Sequence, residues 1–224
     1  LKIYDIPVFY FPKFFHPDPS VKRQSGLIKP AINNSNVLGT SFTLPYFKVI
    51  SDSKDLTLTP IWFDSDTLMS TVEYRQENKN SSLITDFGFV NGYKSPTTRK
   101  KNSLSHFFLD YNLDLKLENF NSSNFEMSVN RVSNDSYLNV FDQYITKSNL
   151  RPLDFNKLTN YINVRLNHSN FDLETGLKSF ENLRIKNQSD RYQYVLPYYN
   201  FDKHITKNYF NGNISFNSNG SNVL

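Results

Sequence analysis

The sequence contains no cysteine, only 7 glycines, 2 methionines and 1 tryptophan among its 224 residues. Without cysteine, the chain has no disulfides, thiolate metal sites or cysteine nucleophiles. Nowhere do about 18 apolar residues follow one another, so no transmembrane helix is expected. The few glycines form neither a phosphate-binding loop nor a Gly-x-Ser-x-Gly motif, so we expect no nucleotide site and no serine nucleophile.

The titratable residues do not indicate an enzyme either. The four histidines, at positions 16, 106, 168 and 204, lie far apart and show none of the short spacings of metal ligands. A net charge of +4 is a mild excess, compatible with a phosphorylated lipid as partner and equally with no charged partner. We expect no enzymatic activity, no cofactor, no metal and no nucleic-acid partner.

Aromatic residues are abundant. They make up 16% of the chain, with 20 Phe and 14 Tyr, while all hydrophobic residues together reach only 38%. The mean hydropathy of -0.54 is correspondingly low. A sheet with one apolar and one polar face needs only every second residue to be apolar. The composition therefore favours a membrane barrel with a water-filled lumen.

The clearest alternation of apolar and polar residues runs from Phe107 to Leu117. Odd positions are apolar throughout, and the even positions are Phe108, Asp110, Asn112, Asp114 and Lys116. A helix would scatter the same residues around its surface, whereas a tilted transmembrane strand needs about 9 to 11 of them in this order. Weaker alternation recurs around residues 56–62 (which include Pro60), 68–75, 125–130, 158–166 and 171–178. We predict about eleven antiparallel strands and no helix.

The polar residues of two predicted strands are candidates for the wall of a wet lumen. They are Glu73, Arg75, Asp110, Asn112, Asp114 and Lys116. Such residues could line a wet lumen, or they could form the solvated face of any antiparallel sheet. Both interpretations are open at this point.

The connections between predicted strands differ in length. Residues 64–66 and 169–170 form short turns, which are typical of the periplasmic side of a barrel. Residues 91–103, with the basic run Arg99 to Lys101, and residues 132–156 are long and polar, which is typical of loops at the outer surface.

Prolines recur inside the apolar, aromatic segments before residue 50, among them Pro7, Pro12, Pro30 and Pro45. Each proline removes one donor from a strand ladder and is normally confined to edges, strand starts and bulges. We therefore predict that the first strands pair imperfectly.

The order and spacing of these segments resemble the LPS-assembly protein family. Residues 7–12 are similar to the family's "PVFYLP", residues 23–30 to "RxSGFLIP" and residues 44–47 to "LPYY". Residues 137–142 resemble a "YLxDF" loop motif of the family, and residues 195–198 an "LP" strand. The match is not letter for letter, since Phe11 replaces Leu, Lys29 separates Ile28 from Pro30, and Phe47 replaces the second Tyr.

The resemblance implies an all-β fragment of a longer, exported protein. Residues 1–22 would be the end of a periplasmic jelly roll, and residues 23–224 the first part of an outer-membrane barrel of about twenty-six strands. Eleven strands cannot close at that radius, so we expect an open, curved sheet. The implied function is to receive lipopolysaccharide from a periplasmic bridge protein and insert it into the outer leaflet of a Gram-negative outer membrane. The implied partners are lipopolysaccharide, membrane lipids, the bridge protein and a plug lipoprotein.

Pro30 and Pro45 match the family prolines of the first two barrel strands, where missing ladder bonds weaken a lateral gate. Unpaired backbone groups in hydrocarbon cost several kcal/mol each, so a barrel that opens sideways needs few bonds at the opening. In the alternative interpretation these prolines only kink strands or prevent wrong pairing.

Two other classes of protein also fit the sequence. One is a different outer-membrane barrel, a porin or an active transporter, which has no weakened strand pair. The other is a soluble carbohydrate-binding β-sandwich, in which the apolar face would lie opposite a second sheet about 10 Å away. The residues of that face are Leu109, Tyr111, Leu113 and Leu115.

Overall fold

The computed structural model describes residues 2–3, 6–7, 23–95, 101–145, 148–186, 188–205 and 214–224. Most of the predicted jelly-roll segment, including Pro12, lies outside these residues, as do Arg99 and Lys100 of the basic loop. Fifteen strands and three helices form the described part of the chain. The strands are β1 (Lys2–Ile3), β2 (Ile6–Pro7), β3 (Gly26–Leu27), β4 (Ala31–Ser35), β5 (Gly39–Thr43), β6 (Tyr46–Ser51), β7 (Lys54–Phe63), β8 (Leu68–Glu77), β9 (Ser81–Lys94), β10 (Lys101–Asp114), β11 (Ser122–Val132), β12 (Lys157–His168), β13 (Phe171–Asn182), β14 (Tyr192–Ile205) and β15 (Ile214–Val223).

The helices are α1 (Tyr137–Val140), α2 (Asp142–Ile145) and α3 (Gln188–Arg191), each of four residues. The prediction of no helix is therefore wrong in detail, since α1 and α2 lie in the segment expected to be a loop. Among the described residues, no helix has the length and apolar character needed to cross a membrane.

Strands β3 to β15 form one open antiparallel sheet of 13 strands. They occupy eleven positions, because β3 and β4 follow one another on position 1 and β5 and β6 on position 2. Position 3 is β7, and the later strands follow in chain order to β15. The predicted all-β fold and open antiparallel sheet of about eleven strands are confirmed.

The alternation of the sequence sets the two faces of the sheet. In the β9–β10 ladder Phe107 pairs with Phe87, and in the β10–β11 ladder Leu109 pairs with Val129. Residues directly opposite one another share a face, so one face is continuously apolar from strand to strand. On this face Phe87 is 45% exposed, Trp62 45% and Ile162 40%. Within the described residues no second sheet covers it, which argues against the alternative of a soluble β-sandwich.

The opposite, polar face carries the buried core near one end of the strands. Core side chains that project from the sheet include Met69, Val90 and Phe108, which are completely buried. Leu158, which the alternation assigns to the apolar face, also belongs to this core. These apolar side chains are covered by a segment of residues 133–156, of which 146–147 are not described.

This inserted segment, residues 133–156, was predicted to be a polar surface loop, and that prediction is wrong. Tyr137, Leu138 and Phe141 are completely buried, and Ile145 is 1% exposed. The segment folds back over the polar face because its apolar side chains find apolar partners there.

The short turns do not both face the same side. Consecutive antiparallel strands alternate in direction, so residues 64–66 lie at the same end as the inserted segment and residues 169–170 lie at the opposite end. Gly92, near the end of β9, accordingly approaches the Asp66 carbonyl. The prediction that both turns are periplasmic is therefore wrong for one of them.

Candidate functional site

Pro30, Pro45 and Pro60 lie at one level across the first three positions of the sheet. Pro30 falls in the break between β3 and β4, Pro45 falls in the break between β5 and β6, and Pro60 lies within β7. These prolines and their neighbours form what we call the proline level: residues 28–30, 44–45 and 59–60.

The break in position 1, residues 28–30, is one residue longer than the break in position 2, residues 44–45. On the side of β7 the register continues, because Thr43 pairs with Ile61 and Tyr46 pairs with Leu58. On the other side, residues 28–30 of position 1 lie opposite the two residues 44–45 of position 2. An extra residue on one strand is a β-bulge, which leaves part of the ladder unpaired. The pairing is therefore looser between positions 1 and 2 than between positions 2 and 3.

Two backbone hydrogen bonds hold the proline level, and each lacks its reciprocal bond. The Ile28 N–H donates to the Pro45 carbonyl at 2.8 Å, and the Leu44 N–H donates to the Pro60 carbonyl at 3.2 Å. In an antiparallel ladder the opposite residue would donate back, but Pro45 and Pro60 have no N–H. Each missing bond removes about 1 kcal/mol of pairing free energy.

Sequence reasoning placed Pro60 in a strand but did not bring it level with Pro30 and Pro45. Register depends on the pairing partner, which the spacing along the chain does not provide. The available signal was that three successive predicted strands each contain an interior proline.

Of the predicted lumen residues, Glu73 and Arg75 lie on the polar face of β8. Arg75 Nε donates to Asp55 Oδ1 at 2.8 Å and lies 3.6 Å from a Glu73 oxygen. Arg23 binds the same Asp55 carboxylate. Glu73 is directly opposite Asp86 of β9. This part of the polar face therefore places two carboxylates side by side.

Asp110, Asn112 and Asp114 lie on the polar face of β10, where they pair with residues of β11. Lys116 does not share that face, because β10 ends at Asp114 and Lys116 lies in the following turn with φ 50°. The Lys116 N–H donates to Asp114 Oδ1 at 3.0 Å, so the aspartate side chain closes the turn. The placement of Lys116 on this strand face was wrong.

The first contact of the inserted segment is with β10. The Tyr137 hydroxyl lies 2.8 Å from His106 Nδ1, and His106 Nε2 lies 3.5 Å from Asp86 Oδ1. Burial, with a smaller contribution from Asp86, raises the pKa of Tyr137, so its hydroxyl stays protonated. His106 thus joins the segment to the sheet. Across the described residues, no group of three or more His, Cys, Asp or Glu side chains could hold a metal ion.

The same segment continues across the polar face to position 2. The Phe141 ring packs edge-on against Tyr93 of β9 at 5.5 Å, and the Tyr144 ring packs against Phe63 of β7 at 5.0 Å. The Tyr144 hydroxyl lies 2.9 Å from Ser41 Oγ of β5. The inserted segment therefore contacts β10, β9, β7 and β5 in turn across the polar face.

The start of the inserted segment is held by Arg191, a residue that the sequence did not single out. Its guanidinium donates to Asp135 at 2.6 Å and to Glu181 at 2.6 Å. The Tyr192 hydroxyl also donates to Glu181, at 3.1 Å. The hydrogen bonds to Asp135 and Glu181 raise the pKa of Arg191, so its guanidinium stays charged in both contacts. The segment is thus held at Asp135 near its start and at Tyr144 near its middle.

Replacing Gly88 with alanine is expected to loosen the inserted segment. A Cβ atom at Gly88 would lie 2.2 Å from His106 Cε1, so the ring must shift, which disturbs its contact with Tyr137. Overpacking of this kind costs about 1 to 3 kcal/mol. Urea unfolding of the full-length protein in detergent measures the loss. Gly26→Ala is the control, because nothing lies within 4 Å of that position, and equal losses in the two variants would contradict the expectation.

No family model matches this chain. The LPS-assembly protein LptD of Shewanella sp. (strain MR-4) is 27% identical over 225 residues, which cover 97% of this chain and 27% of that protein. LptD of Cupriavidus necator is 27% identical over 82% of this chain and 21% of its own length. LptD of Hahella chejuensis is 32% identical over 40% of this chain.

The resemblance to the LPS-assembly protein family is confirmed. The chain spans about a quarter of the length of the curated LptD relatives that match it over most of its residues. The similarity to the Shewanella proteins extends well beyond the proline-rich segments, through the inserted segment and the later strands of the sheet.

Proposed function

We propose that this chain supplies the first strands of an outer-membrane barrel that inserts lipopolysaccharide into the outer leaflet. The observation that carries the proposal is the proline level, where Pro45 and Pro60 each remove a reciprocal hydrogen bond and Pro30 lies in a bulge. The similarity to LptD proteins supports lipopolysaccharide as the substrate. The exposed apolar face supports contact with membrane lipids.

The lateral gate of this proposal involves positions 1 and 2 at the proline level. Opening a strand pair in hydrocarbon exposes N–H and C=O groups at several kcal/mol each. Every bond already missing in the closed state lowers that cost by about 1 kcal/mol. The bulge opposite residues 44–45 confines the weakest pairing to this position.

The remaining parts of the proposal follow from the relatives. Residues 1–22 would end a periplasmic jelly roll that receives lipopolysaccharide from a bridge protein, and residues 23–224 would begin the barrel. The site would lie in the outer membrane of a Gram-negative bacterium, with a plug lipoprotein in the lumen. The polar face with Glu73, Arg75 and Asp110 would then line the path of the glycolipid.

Replacing Pro30 and Pro45 with alanine in the full-length protein is expected to slow lipopolysaccharide delivery to the cell surface about tenfold. The alanines restore two N–H donors, and each added ladder bond stabilises the closed pair by about 0.5 to 1.5 kcal/mol. Delivery is measured by pulse labelling of lipopolysaccharide and its appearance at the surface.

Pro152→Ala is the matched control, because Pro152 lies in the inserted segment and outside the sheet. We expect normal delivery in that variant. Unchanged delivery in the Pro30/Pro45 variant would remove the gate and favour a porin or another transporter.

A further inference from the structure

A cavity of about 210 Å³ lies between the inserted segment and the polar face, directly behind the proline level. Ile28, Pro45 and Ile61 form its apolar wall, and Gln143 and Tyr144 of α2 line its other side. The volume corresponds to about seven water molecules at about 30 Å³ each, which is the scale of one monosaccharide ring. The cavity therefore lies on the polar face directly behind the proposed gate.

The second observation is a buried hydroxyl in the wall of this cavity. Thr43 is 5% exposed, and its Oγ1 is one of two buried side-chain polar atoms without a hydrogen-bond partner among the described residues. Buried polar groups are almost always hydrogen-bonded. Three further threonines line the same cavity: Thr57, Thr59 and Thr71. The wall thus offers several hydroxyls, one of them unpartnered.

The third observation is the charge of the cavity. Glu73 and Asp86 both line it and pair directly across the β8–β9 ladder. Arg75 lies closer to Asp55, at 2.8 Å, than to Glu73, at 3.6 Å. Neighbouring carboxylates accept hydrogen bonds and repel anions. The site therefore favours a ligand with several O–H donors and disfavours a phosphate.

We propose that this cavity binds a sugar ring that carries no phosphate. The carboxylates of Glu73 and Asp86 accept hydrogen bonds from the ring hydroxyls, and Thr43 supplies a further hydroxyl partner. Ile28, Pro45 and Ile61 pack against the C–H side of the ring. The inference rests on the proposed function, in which the sugar belongs to the glycolipid held at the gate, while phosphorylated parts of the same molecule stay outside this cavity.

The test is saturation-transfer NMR on the full-length protein in detergent, with methyl glucoside and its 6-phosphate as probes. We expect transfer to methyl glucoside and about tenfold less transfer to the 6-phosphate, because the carboxylates repel the added charge. In Thr43→Val, which keeps the shape of the side chain, transfer to methyl glucoside is expected to fall about fivefold. In Glu73→Gln the preference against the 6-phosphate is expected to weaken.

Thr40→Val is the matched control, because Thr40 lies on the same strand with its side chain on the opposite face. No transfer to methyl glucoside, equal transfer to the 6-phosphate, or equal transfer in Thr43→Val and wild type would each overturn the inference. The measurement involves no transport, so it separates the two proposals. If the Pro30/Pro45 variant delivers lipopolysaccharide normally, the gate is refuted. If methyl glucoside still binds the wild-type protein, the cavity remains supported as a sugar site.

Discussion

Replacing Tyr137 with alanine is expected to destabilise the protein by about 3 to 5 kcal/mol, the cost of removing a buried aromatic side chain. Tyr137 is completely buried, bonds to His106 and packs against Phe141 at 5.0 Å. Its loss removes the hydrogen bond between the inserted segment and His106 of β10. The expected change is measured by urea unfolding of the full-length protein in detergent, together with limited proteolysis of residues 133–156.

Two variants separate packing from hydrogen bonding in that measurement. Tyr137→Phe removes only the hydroxyl and is expected to cost about 1 kcal/mol. Phe216→Ala removes a side chain that is 54% exposed on β15, so its cost should be much smaller. A loss in Tyr137→Ala no greater than in Phe216→Ala would show that the segment does not pack on the polar face.

Placing arginine at Leu109 is expected to destabilise the protein in a lipid bilayer by about 2 to 4 kcal/mol, the cost of a cation on the lipid face near the midplane. Leu109 lies on the apolar face in the middle of β10, opposite Thr85 and Val129. Equilibrium unfolding from phospholipid vesicles measures the difference from wild type.

Asn112→Arg is the control on the same strand, because Asn112 lies on the polar face and is exposed. Its side chain would stay in water, so we expect a change close to zero. If the two variants were equally stable in vesicles, the apolar face would not contact lipid, and the membrane interpretation of the sheet would be wrong.

The strands and their faces were predictable because the alternation of apolar and polar residues is local. The larger part of β10, from Phe107 to Asp114, shows its two faces in consecutive residues, with no knowledge of its partners. The end of that strand was less predictable, since the apolar Leu115 continues the pattern into a turn that Asp114 closes. Turn formation there depends on a side-chain hydrogen bond that competes with the ladder.

The inserted segment was not predictable in the same way. Its aromatic residues lie among polar ones, and their burial depends on partners far away in the sequence. A signal was nevertheless present, because Met69, Val90 and Phe108 are apolar at positions that the alternation assigns to the polar face. Apolar residues at such positions indicate that another part of the chain covers them.

The candidate site was predictable in part. Pro30 and Pro45 were recognised from the segments around them, whereas the alignment with Pro60 required the register of β7. The cavity depends on Gln143 and Tyr144, which approach the sheet only because the inserted segment folds inward. No spacing along the chain would have shown that approach.

The hydrogen bond between Tyr144 and Ser41 ties β5 to the middle of the inserted segment, and Arg191, beside β14, holds the start of that segment. Any outward movement of β5 must therefore either break this bond or draw the helical segment along with it. In the second case the displacement reaches Asp135 and the far side of the sheet. Strands near the two edges of the described sheet, β5 and β14, are therefore mechanically coupled through the inserted segment.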